Sequence, residues 1–270
     1  MKKRICCFIL AFILIAICQT GCGKKDNGMK KVVLNEVAHS IFYAPQYVAI
    51  EMGYFKDAGI DLVLETGFGA DKTMTALISG NADIGFMGSE STIYAYAEGS
   101  KDYAVNFAGL TQRAGNFLVA REKIDNFSWD MVKGKNVLGG RKGGMPQMVL
   151  EYILKANNID PASDLSIDQS VDFGLTAGAF SGNTEYDFTV EFEPGATSLE
   201  KEGKGYVVAS LGVDSGYVPY TAYSAKKSYI EKNPEIIKDF TSAIQKGLDY
   251  VNSHSSAEIA KVIAPQFEDT

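Results

Sequence analysis

"YAPQYVAIEMGYFKDAGIDLVLETG", residues 43–67, decides the fold class, because a short helix pattern runs directly into a buried strand pattern. Pro45 suits the first turn of this helix, and Gly53 suits its end. The apolar run "GIDLVLE" that follows predicts a strand, and "KKVVLNEV" (30–37) predicts another strand before the helix. Strands separated by a helix indicate a βαβ unit in a mostly parallel sheet.

The same alternation continues towards the carboxyl end of the chain. The next predicted elements are a helix at "DKTMTALISG" (71–80), a strand at "ADIGFM" (82–87), a helix at "SESTIYAYAEG" (89–99) and a strand at "YAVNFAGL" (103–110). We expect Asp71 to cap the first of these helices and Gly80 to end it. Ser89 or Ser91 is expected to cap the second helix. The α/β pattern thus extends over the first hundred residues.

The pattern restarts after residue 113. The predicted elements are strands at "NFLVAR" (116–121) and "KNVLGG" (135–140), a helix within "GGRKGGMPQMVLEYILKANNID" (139–160), a strand at "YDFTVEF" (186–192), a short helix at "PGATSLEKEG" (194–203) and a strand at "GYVVASLG" (205–212). "YTAYSAKK" then leads into a long helix from 234 to about 251. We infer two α/β lobes: residues 32–114 and 213–270 form lobe 1, and 115–212 form an inserted lobe 2.

The amino-terminal residues predict an exported protein. Three basic residues precede an uncharged run of 14 residues, which suits a signal peptide better than a membrane span. The segment before Cys22 resembles a bacterial lipoprotein signal, although Gln19 stands where that pattern usually has an apolar residue. We therefore expect a signal peptide at 1–21, lipidation of Cys22 and a polar tether at 22–31. A plain secretory signal and a retained membrane anchor are the alternatives.

Composition excludes several classes of function. All four cysteines lie at or before Cys22, so the folded body offers neither a disulfide framework nor a cysteine nucleophile. With only His39 and His254 in the chain, a metal site is not expected. The net charge is −7, and loss of the leader, with its three positive charges and no negative one, changes it to −10. Such acidity argues against a nucleic-acid partner.

Several segments together resemble a known family, the solute-binding proteins of ABC importers for sulfonates, nitrate and thiamine precursors. The resemblance rests on the opening stretch, on "ALISGNADIGFMGSES" (76–91), on the strand, glycine turn and helix up to residue 160, and on the "FEP" turn at 192–194. It covers nearly all of residues 32–250. It implies a two-lobe periplasmic-binding-protein-like fold of type II with a ligand cleft between the lobes. It also implies a monomer that delivers its solute to a membrane permease and its ATPase. Proteins of this family usually continue beyond the point at which this sequence ends, at "APQFEDT".

Candidate ligand-binding residues in lobe 1 follow the predicted strands, because ligands of open α/β sheets bind beyond the carboxyl ends of the strands. They are His39, Phe42, Tyr43, Phe68, Gly69, Ser89 and Glu90. The aromatic side chains suit a flat ligand, and packing is the alternative role. Glu90 would accept hydrogen bonds from a ligand and repel an anion if it points into the cleft. Otherwise it is only a favourable charge in the first turn of a helix.

The remaining candidates lie at the crossing between the lobes and in lobe 2. They are Arg113, Gly143, Gly144, Met145 and Glu193. Arg113 could meet an acidic group or remain solvated. The two glycines would expose backbone amides at the start of a helix. That helix is expected to bury a face formed by Met145, Met148, Val149, Tyr152, Ile153 and Ala156. The family resemblance implies that Glu193 lies in the site.

The motifs favour binding over catalysis. Met145 and Pro146 stand where a P-loop has Lys and Ser or Thr, so the glycine-rich turn is not a nucleotide loop. No G-x-S-x-G or H-E-x-x-H motif is present, and the iron-binding cysteines of the related pyrimidine synthases are missing. We expect a solute-binding lipoprotein without a cofactor. A thiamine-precursor pyrimidine or a similar nitrogen heterocycle is favoured as the ligand. An alkanesulfonate or nitrate-type anion, a sensor role and an enzyme on this fold are the alternatives.

Overall fold

Two five-stranded sheets organise the chain in the computed structural model, which describes residues 28–172 and 174–268. The first sheet has the order β2-β1-β3-β10-β4 and the second β7-β6-β8-β5-β9. The strands are β1 Lys30–Glu36, β2 Ile60–Thr66, β3 Ile84–Gly88, β4 Ala104–Thr111, β5 Asn116–Ala120, β6 Asn136–Leu138, β7 Ser166–Asp168, β8 Phe188–Phe192, β9 Tyr206–Ser210 and β10 Thr221–Lys226.

Helices connect these strands. They are α1 Ala44–Glu51, α2 Tyr54–Asp57, α3 Ala70–Ser79, α4 Glu90–Ala97, α5 Met145–Ala156, α6 Thr176–Gly182, α7 Gly195–Lys201, α8 Leu211–Asp214, α9 Lys227–Lys232, α10 Pro234–Ser253 and α11 Ser256–Ile263. Short 3-10 helices occupy Ile41–Tyr43, Trp129–Val132 and Ala264–Phe267. In the part of the chain that the structure describes, no helix has both the length and the apolar character needed to cross a bilayer.

The predicted α/β alternation is present, and both sheets are mixed, with one strand in each running against its two neighbours. The other strands whose pairing is described run in one direction within each sheet, as expected of mostly parallel sheets. β1 pairs with β3 in parallel, and β6 pairs in parallel with β7 and β8. In contrast, β10 is antiparallel to β3 and β4, and β5 is antiparallel to β8 and β9. The reason is topological. β5 and β10 each follow a segment that crosses from one sheet to the other. Each therefore begins at the end of its new sheet where the parallel strands finish, and it runs in the opposite direction to them.

The strands divide between the sheets in the way that two lobes require. The first sheet draws on 30–111 and 221–226, and the second on 116–210. The boundaries at 114/115 and 212/213 stay a prediction, and Lys31–Thr270 forms one compact unit. The predicted signal peptide, Cys22 and the first part of the tether lie outside the described residues.

Helix α5 buries a different face from the one predicted. Met145, Val149 and Ile153 are buried as expected, but Met148 and Tyr152 are exposed. The buried face also contains Pro146, Leu150 and Leu154. The apolar residues of this helix surround more than half of its circumference, so the sequence periodicity allowed two faces. Packing onto the second sheet selects the face with the branched side chains, which fill its core.

Candidate functional site

A small cavity lies where the carboxyl ends of β1, β3 and β8 meet the amino end of α5. Its volume is about 20 Å³. The lining comes from elements of both sheets: Val37, Ala38, Tyr43, Ala70, Gly88, Gly144, Met145, Pro146, Phe192, Tyr220 and Thr221. A space of this size holds about one water molecule. The cavity in this structure is therefore too small for a molecule the size of an organic ligand.

A larger groove opens beside the cavity. Its volume is about 730 Å³, and it shares Ala70 and Gly144 with the cavity lining. Helices α3 and α4 form one wall of this groove, and the loop 141–144 forms the other. The groove is therefore the mouth of the cavity, and Gly143 lies in it.

Glu90 is the buried charge of the site. It is the first residue of α4 and only 4% exposed, and the donors close to its carboxylate oxygens, its own N–H, the N–H of Met145 and the Ser91 hydroxyl, lie outside good hydrogen-bond geometry. Burial raises the pKa of Glu90 to about 7, while its own N–H, the N–H of Met145 and the Ser91 hydroxyl act in the opposite direction. A Cβ atom on Gly88 would overlap the Glu90 carboxylate, so the glycine makes room for it beside the cavity.

Neutral polar groups surround the same region. The Tyr220 hydroxyl and both amide atoms of Asn116 are buried without a hydrogen-bond partner, and the buried Thr221 hydroxyl has only the Tyr43 hydroxyl close to it. Burial also raises the pKa of Tyr43, which the nearby Thr221 hydroxyl partly offsets. Buried polar atoms in native proteins almost always have partners. A cluster of unpartnered atoms around an interlobe cavity is what a bound solute would satisfy.

The structure brings some of the predicted site residues together at the cavity. Tyr43, Gly144 and Met145 line it, and Glu90 lies behind Gly88. Phe42 packs beside it, with its ring 5.1 Å from that of Tyr43.

Two other predicted residues lie at the start of α3, outside the cavity lining. Phe68 is 48% exposed and has a positive φ of 57°. Gly69 is the N-cap residue of α3 and lies against Arg141.

The side chains of four further candidates bond to the protein itself. Ser89 donates its hydroxyl to the carbonyl of Pro219, and Arg113 donates to the carbonyl of Gly212 at 2.8 Å. The Arg113 guanidinium also stacks on the ring of Tyr217.

Glu193 accepts hydrogen bonds from the backbone N–H and the hydroxyl of Thr197, 3.0 and 2.9 Å away. These bonds hold the carboxylate over the first turn of α7. They turn it towards its own helix.

His39 bonds away from the cavity, to Glu36 and to the carbonyl of Gln266. Both distances are 2.7 Å. Both partners are acceptors, so the ring satisfies them fully only when it carries two protons. The hydrogen bond to Glu36 accordingly raises the pKa of His39. Phe267 packs against the imidazole at 4.7 Å, so His39 holds the segment Ala264–Phe267 to the first sheet.

Asp71 does not cap α3, contrary to the prediction. Gly69 occupies the N-cap position, and Asp71 lies in the first turn, where it accepts two hydrogen bonds from Arg141 at 3.0 and 2.8 Å. Arg141 also pairs with Asp172, to which Lys72 donates at 2.8 Å. The Arg141 guanidinium is charged, so it binds the Asp71 carboxylate more strongly than the uncharged backbone amides of α3 would. The four side chains form an ion-pair cluster across the cavity mouth.

The expected caps of α4 are only partly present. Ser89 occupies the N-cap position, but its side chain makes no capping hydrogen bond because it bonds to Pro219 instead.

Sequence reasoning missed the contribution of "YTAYSAKK". The sequence indicates only a lead into the long helix here, but Thr221–Lys226 is β10, an interior strand between β3 and β4 of the first sheet. Thr221, the first residue of β10, and the preceding Tyr220 supply two of the buried hydroxyl groups beside the cavity. The alternation of small and aromatic residues was a usable strand signal.

No cluster of three or more His, Cys, Asp or Glu side chains within the described residues could hold a metal ion.

Comparisons with known proteins agree with this architecture. The family model described as NMT1/THI5 like matches residues 41–257. YtlA of Bacillus subtilis (strain 168), provisionally named a binding protein, is 49% identical over 247 residues, which cover 92% of this chain and 74% of YtlA. The 4-amino-5-hydroxymethyl-2-methylpyrimidine phosphate synthase of Candida albicans (strain WO-1) is 24% identical over 239 residues, 79% of this chain and 64% of the synthase.

Among solved structures, the periplasmic aliphatic sulphonate-binding protein SsuA of Escherichia coli superposes with a TM-score of 0.71. The sequence identity is 16%, and the match covers 88% of this chain and 79% of SsuA. This likeness confirms the predicted α/β fold of the periplasmic-binding-protein type.

Proposed function

Because this chain belongs to the NMT1/THI5-like family, we propose that it is the extracytoplasmic solute-binding component of an ABC-type importer. The family expected from the sequence motifs is confirmed by this membership. The name of YtlA supports a binding role, and the fold shared with SsuA supports capture between two lobes. In the proposal, a permease and its ATPase in the membrane receive the solute from the protein, which acts as a monomer.

The observation that carries the proposal is the set of unpartnered polar atoms at the cavity. Glu90, Tyr220 and Thr221 together leave four such oxygens buried. Leaving a buried polar atom without a partner costs about 1–3 kcal/mol, and more for a charge. A solute with hydrogen-bonding groups would bond to these atoms. Binding would then remove the free-energy cost of leaving them without partners.

The charges favour a solute that donates hydrogen bonds. No Lys or Arg is among the described residues that line the cavity. Arg141 and Lys142 line the groove beside it, where Arg141 pairs with Asp71, and Arg113 donates to the carbonyl of Gly212. Glu90 would repel an anion, whereas N–H groups of a ligand would meet its oxygens. The rings of Tyr43, Tyr220 and Phe192 give the cavity flat aromatic walls. We therefore favour a nitrogen heterocycle such as an aminopyrimidine, and the pyrimidine named in the Candida albicans relative is the first probe.

An alkanesulfonate or a nitrate-type anion is the second candidate. The observation in its favour is that Gly144 and Met145, at the amino end of α5, line the cavity, because the start of a helix suits an anion. The glycine amides expected to be exposed are bonded within the protein, since the N–H of Gly143 donates to the Gln147 side chain and that of Gly144 to the carbonyl of Arg141. The likeness to SsuA is consistent with it but rests on the fold alone.

The cavity must open before any such solute enters. Its 20 Å³ are far below the volume of a pyrimidine or a sulfonate. Entry through the groove requires the two lobes to separate, as in hinge closure around a ligand. In the proposal, the closed form that returns around the solute is what the permease recognises, and the solute leaves the protein chemically unchanged. A sensor would use the same cycle to report the solute to a membrane receptor.

The proposal also assigns the location. The signal-like leader and Cys22 support export and attachment of a lipid, which would tether the folded body to the outer face of the cell membrane. Mass spectrometry of the protein from membranes tests this, because a diacylglycerol-modified Cys22 differs in mass from a free amino terminus.

Thermal-shift and calorimetric screening tests the ligand. Stabilisation by 4-amino-5-hydroxymethyl-2-methylpyrimidine and not by short alkanesulfonates or nitrate is expected, because a ligand that binds only the folded state raises stability by mass action. Stabilisation by sulfonates alone would overturn the preferred ligand class. Conversion of the pyrimidine during incubation, detected by mass spectrometry, would contradict the binding role and indicate an enzyme.

A further inference from the structure

The ion-pair cluster joins the two sides of the groove mouth. On the side of the first sheet, Asp71 and Lys72 are neighbours in the first turn of α3. On the side of the second sheet, Arg141 lies between β6 and α5, and Asp172 lies between β7 and α6. Each side thus contributes one positive and one negative side chain, and the cluster has no net charge.

Two of the ion pairs cross from one side to the other. Arg141 donates two hydrogen bonds to the Asp71 carboxylate, at 3.0 and 2.8 Å, and Lys72 donates one to Asp172 at 2.8 Å. The third pair, Arg141 with Asp172, lies within the side of the second sheet. When the two sides separate, this third pair can remain, whereas both crossing pairs must break.

The backbone on each side positions the cluster. The N–H of Lys142 donates to the carbonyl of Gln169 at 3.1 Å. This bond ties the loop that carries Arg141 to the segment that leads to Asp172. On the opposite side, a Cβ atom on Gly69 would lie only 3.0 Å from Nε of Arg141. The glycine therefore leaves the room that the guanidinium needs to reach the start of α3.

We propose that the ion-pair cluster is a latch, which forms when the two halves of the chain close around a solute, breaks when they open, and sets how fast the solute leaves. This inference rests on the proposed function, in which the solute enters and leaves through the groove. It deepens that function by assigning the control of opening to four named side chains. Because the cluster is neutral as a whole, it should act alike on any solute that the cavity takes.

The exposure of the cluster makes the latch weak enough to open. The side chains of Asp71 and Lys72 are 59% and 46% exposed, so water and salt screen both crossing pairs. Exposed ion pairs typically change an equilibrium by no more than about fivefold each. A guanidinium that donates two hydrogen bonds binds a carboxylate more strongly than an ammonium group that donates one. We therefore expect the pair of Arg141 with Asp71 to contribute most of the effect.

Such a latch changes the affinity without touching the solute. A solute that binds only the closed form binds more tightly in proportion to the fraction of protein that is closed. The crossing pairs form only after closure, so their loss should appear mainly as faster dissociation of the solute.

Pulsed electron paramagnetic resonance on the full chain without solute measures the ratio of closed to open protein. Spin labels are attached at Lys101→Cys and Ala156→Cys, two exposed positions that follow α4 and end α5. The four natural cysteines are replaced by serine. The distance between the labelled positions in this structure identifies the closed population. We expect the ratio of closed to open protein to fall about fivefold from 0.05 to 0.5 M NaCl, and about fivefold in Arg141→Gln at low salt.

Two further variants separate the latch from a general effect of charge. Lys133→Gln removes the same charge from an exposed ion pair with Asp130, which lies within one half of the chain, and it should leave the ratio unchanged. Lys72→Gln removes only the weaker crossing pair and should lower the ratio about twofold. Unfolding curves of all the variants show that they are folded.

The outcomes distinguish the latch from the function beneath it. A ratio that stays constant in 0.5 M NaCl and in Arg141→Gln overturns the latch and leaves solute capture standing. A fall of the same size in Lys133→Gln also overturns it. If 4-amino-5-hydroxymethyl-2-methylpyrimidine, short alkanesulfonates and nitrate all fail to increase the closed population, the proposed function is overturned, while the response of the ratio to salt still decides the latch.

Discussion

Substitution of Glu90 by Gln should make the stability of the protein less sensitive to alkaline pH. Burial raises the pKa of this carboxyl from about 4.5 in the unfolded chain to about 7 in the folded one. The folded state therefore holds the proton more tightly than the unfolded state does. This contribution to stability is full below about pH 4.5 and is lost as pH rises through 7.

The magnitude follows from the size of the shift. A difference of about 2.5 pKa units corresponds to about 3 kcal/mol, because one unit is worth about 1.4 kcal/mol. Glu90 is only 4% exposed, so solvent screening takes little from this value. At pH 5 a small part is already lost, so the change between pH 5 and pH 8.5 should be about 2–3 kcal/mol. Glutamine keeps the shape of the side chain and does not titrate.

Urea denaturation at both pH values, followed by circular dichroism without solute, measures this change. The free energy of unfolding of Glu90→Gln, relative to that of the wild type, should rise by about 2–3 kcal/mol from pH 5 to pH 8.5. The comparison at pH 5 is the internal control, since both side chains are then mostly neutral in the folded state. A difference that stays constant with pH, or that falls as pH rises, would refute the reasoning about the buried carboxyl.

Three further predictions concern packing and charge. Gly247→Ala should destabilise the protein by about 1–3 kcal/mol, because its Cβ would overlap a backbone carbonyl of α1, whereas Gly178→Ala, with nothing within 4 Å, should be neutral or stabilising in thermal unfolding. A double-mutant cycle of Asp71→Asn and Arg141→Gln in urea should give a coupling of about 1 kcal/mol that shrinks in 0.5 M salt, and coupling insensitive to salt would contradict an ion pair. His39→Gln should cost most stability below pH 6.5, with the difference from wild type shrinking as pH rises past the raised pKa of His39.

The sequence predicted the elements whose signals are local. The helix stop at Gly53 and the early Pro45 bounded α1, and the alternation of strands and helices predicted the fold class. The family motifs pointed to a site between two lobes, and Tyr43, Gly144 and Met145 line the cavity there. These features follow from the sequence because glycine, proline and apolar spacing act within a few residues of the chain.

The partners of the polar side chains could not be predicted in this way. Asp71 was expected at a helix cap and bonds instead to Arg141, 70 residues away. Glu193 was expected in the cleft, and its carboxylate bonds to Thr197. A carboxylate takes the best donor within reach, and which donors are within reach depends on how distant segments of the chain are folded together.

By itself, the sequence determined an acidic α/β protein with two restarting strand–helix patterns, and it predicts an exported-type leader. Only the tertiary structure decided which polar atoms remain unpartnered. Glu90 was as consistent with a surface charge as with a cleft residue until Gly88, Met145 and Tyr220 closed around it. Burial is the sum of contacts from segments far apart in the chain, and burial is what raises the pKa of this carboxyl and makes it a candidate recognition group.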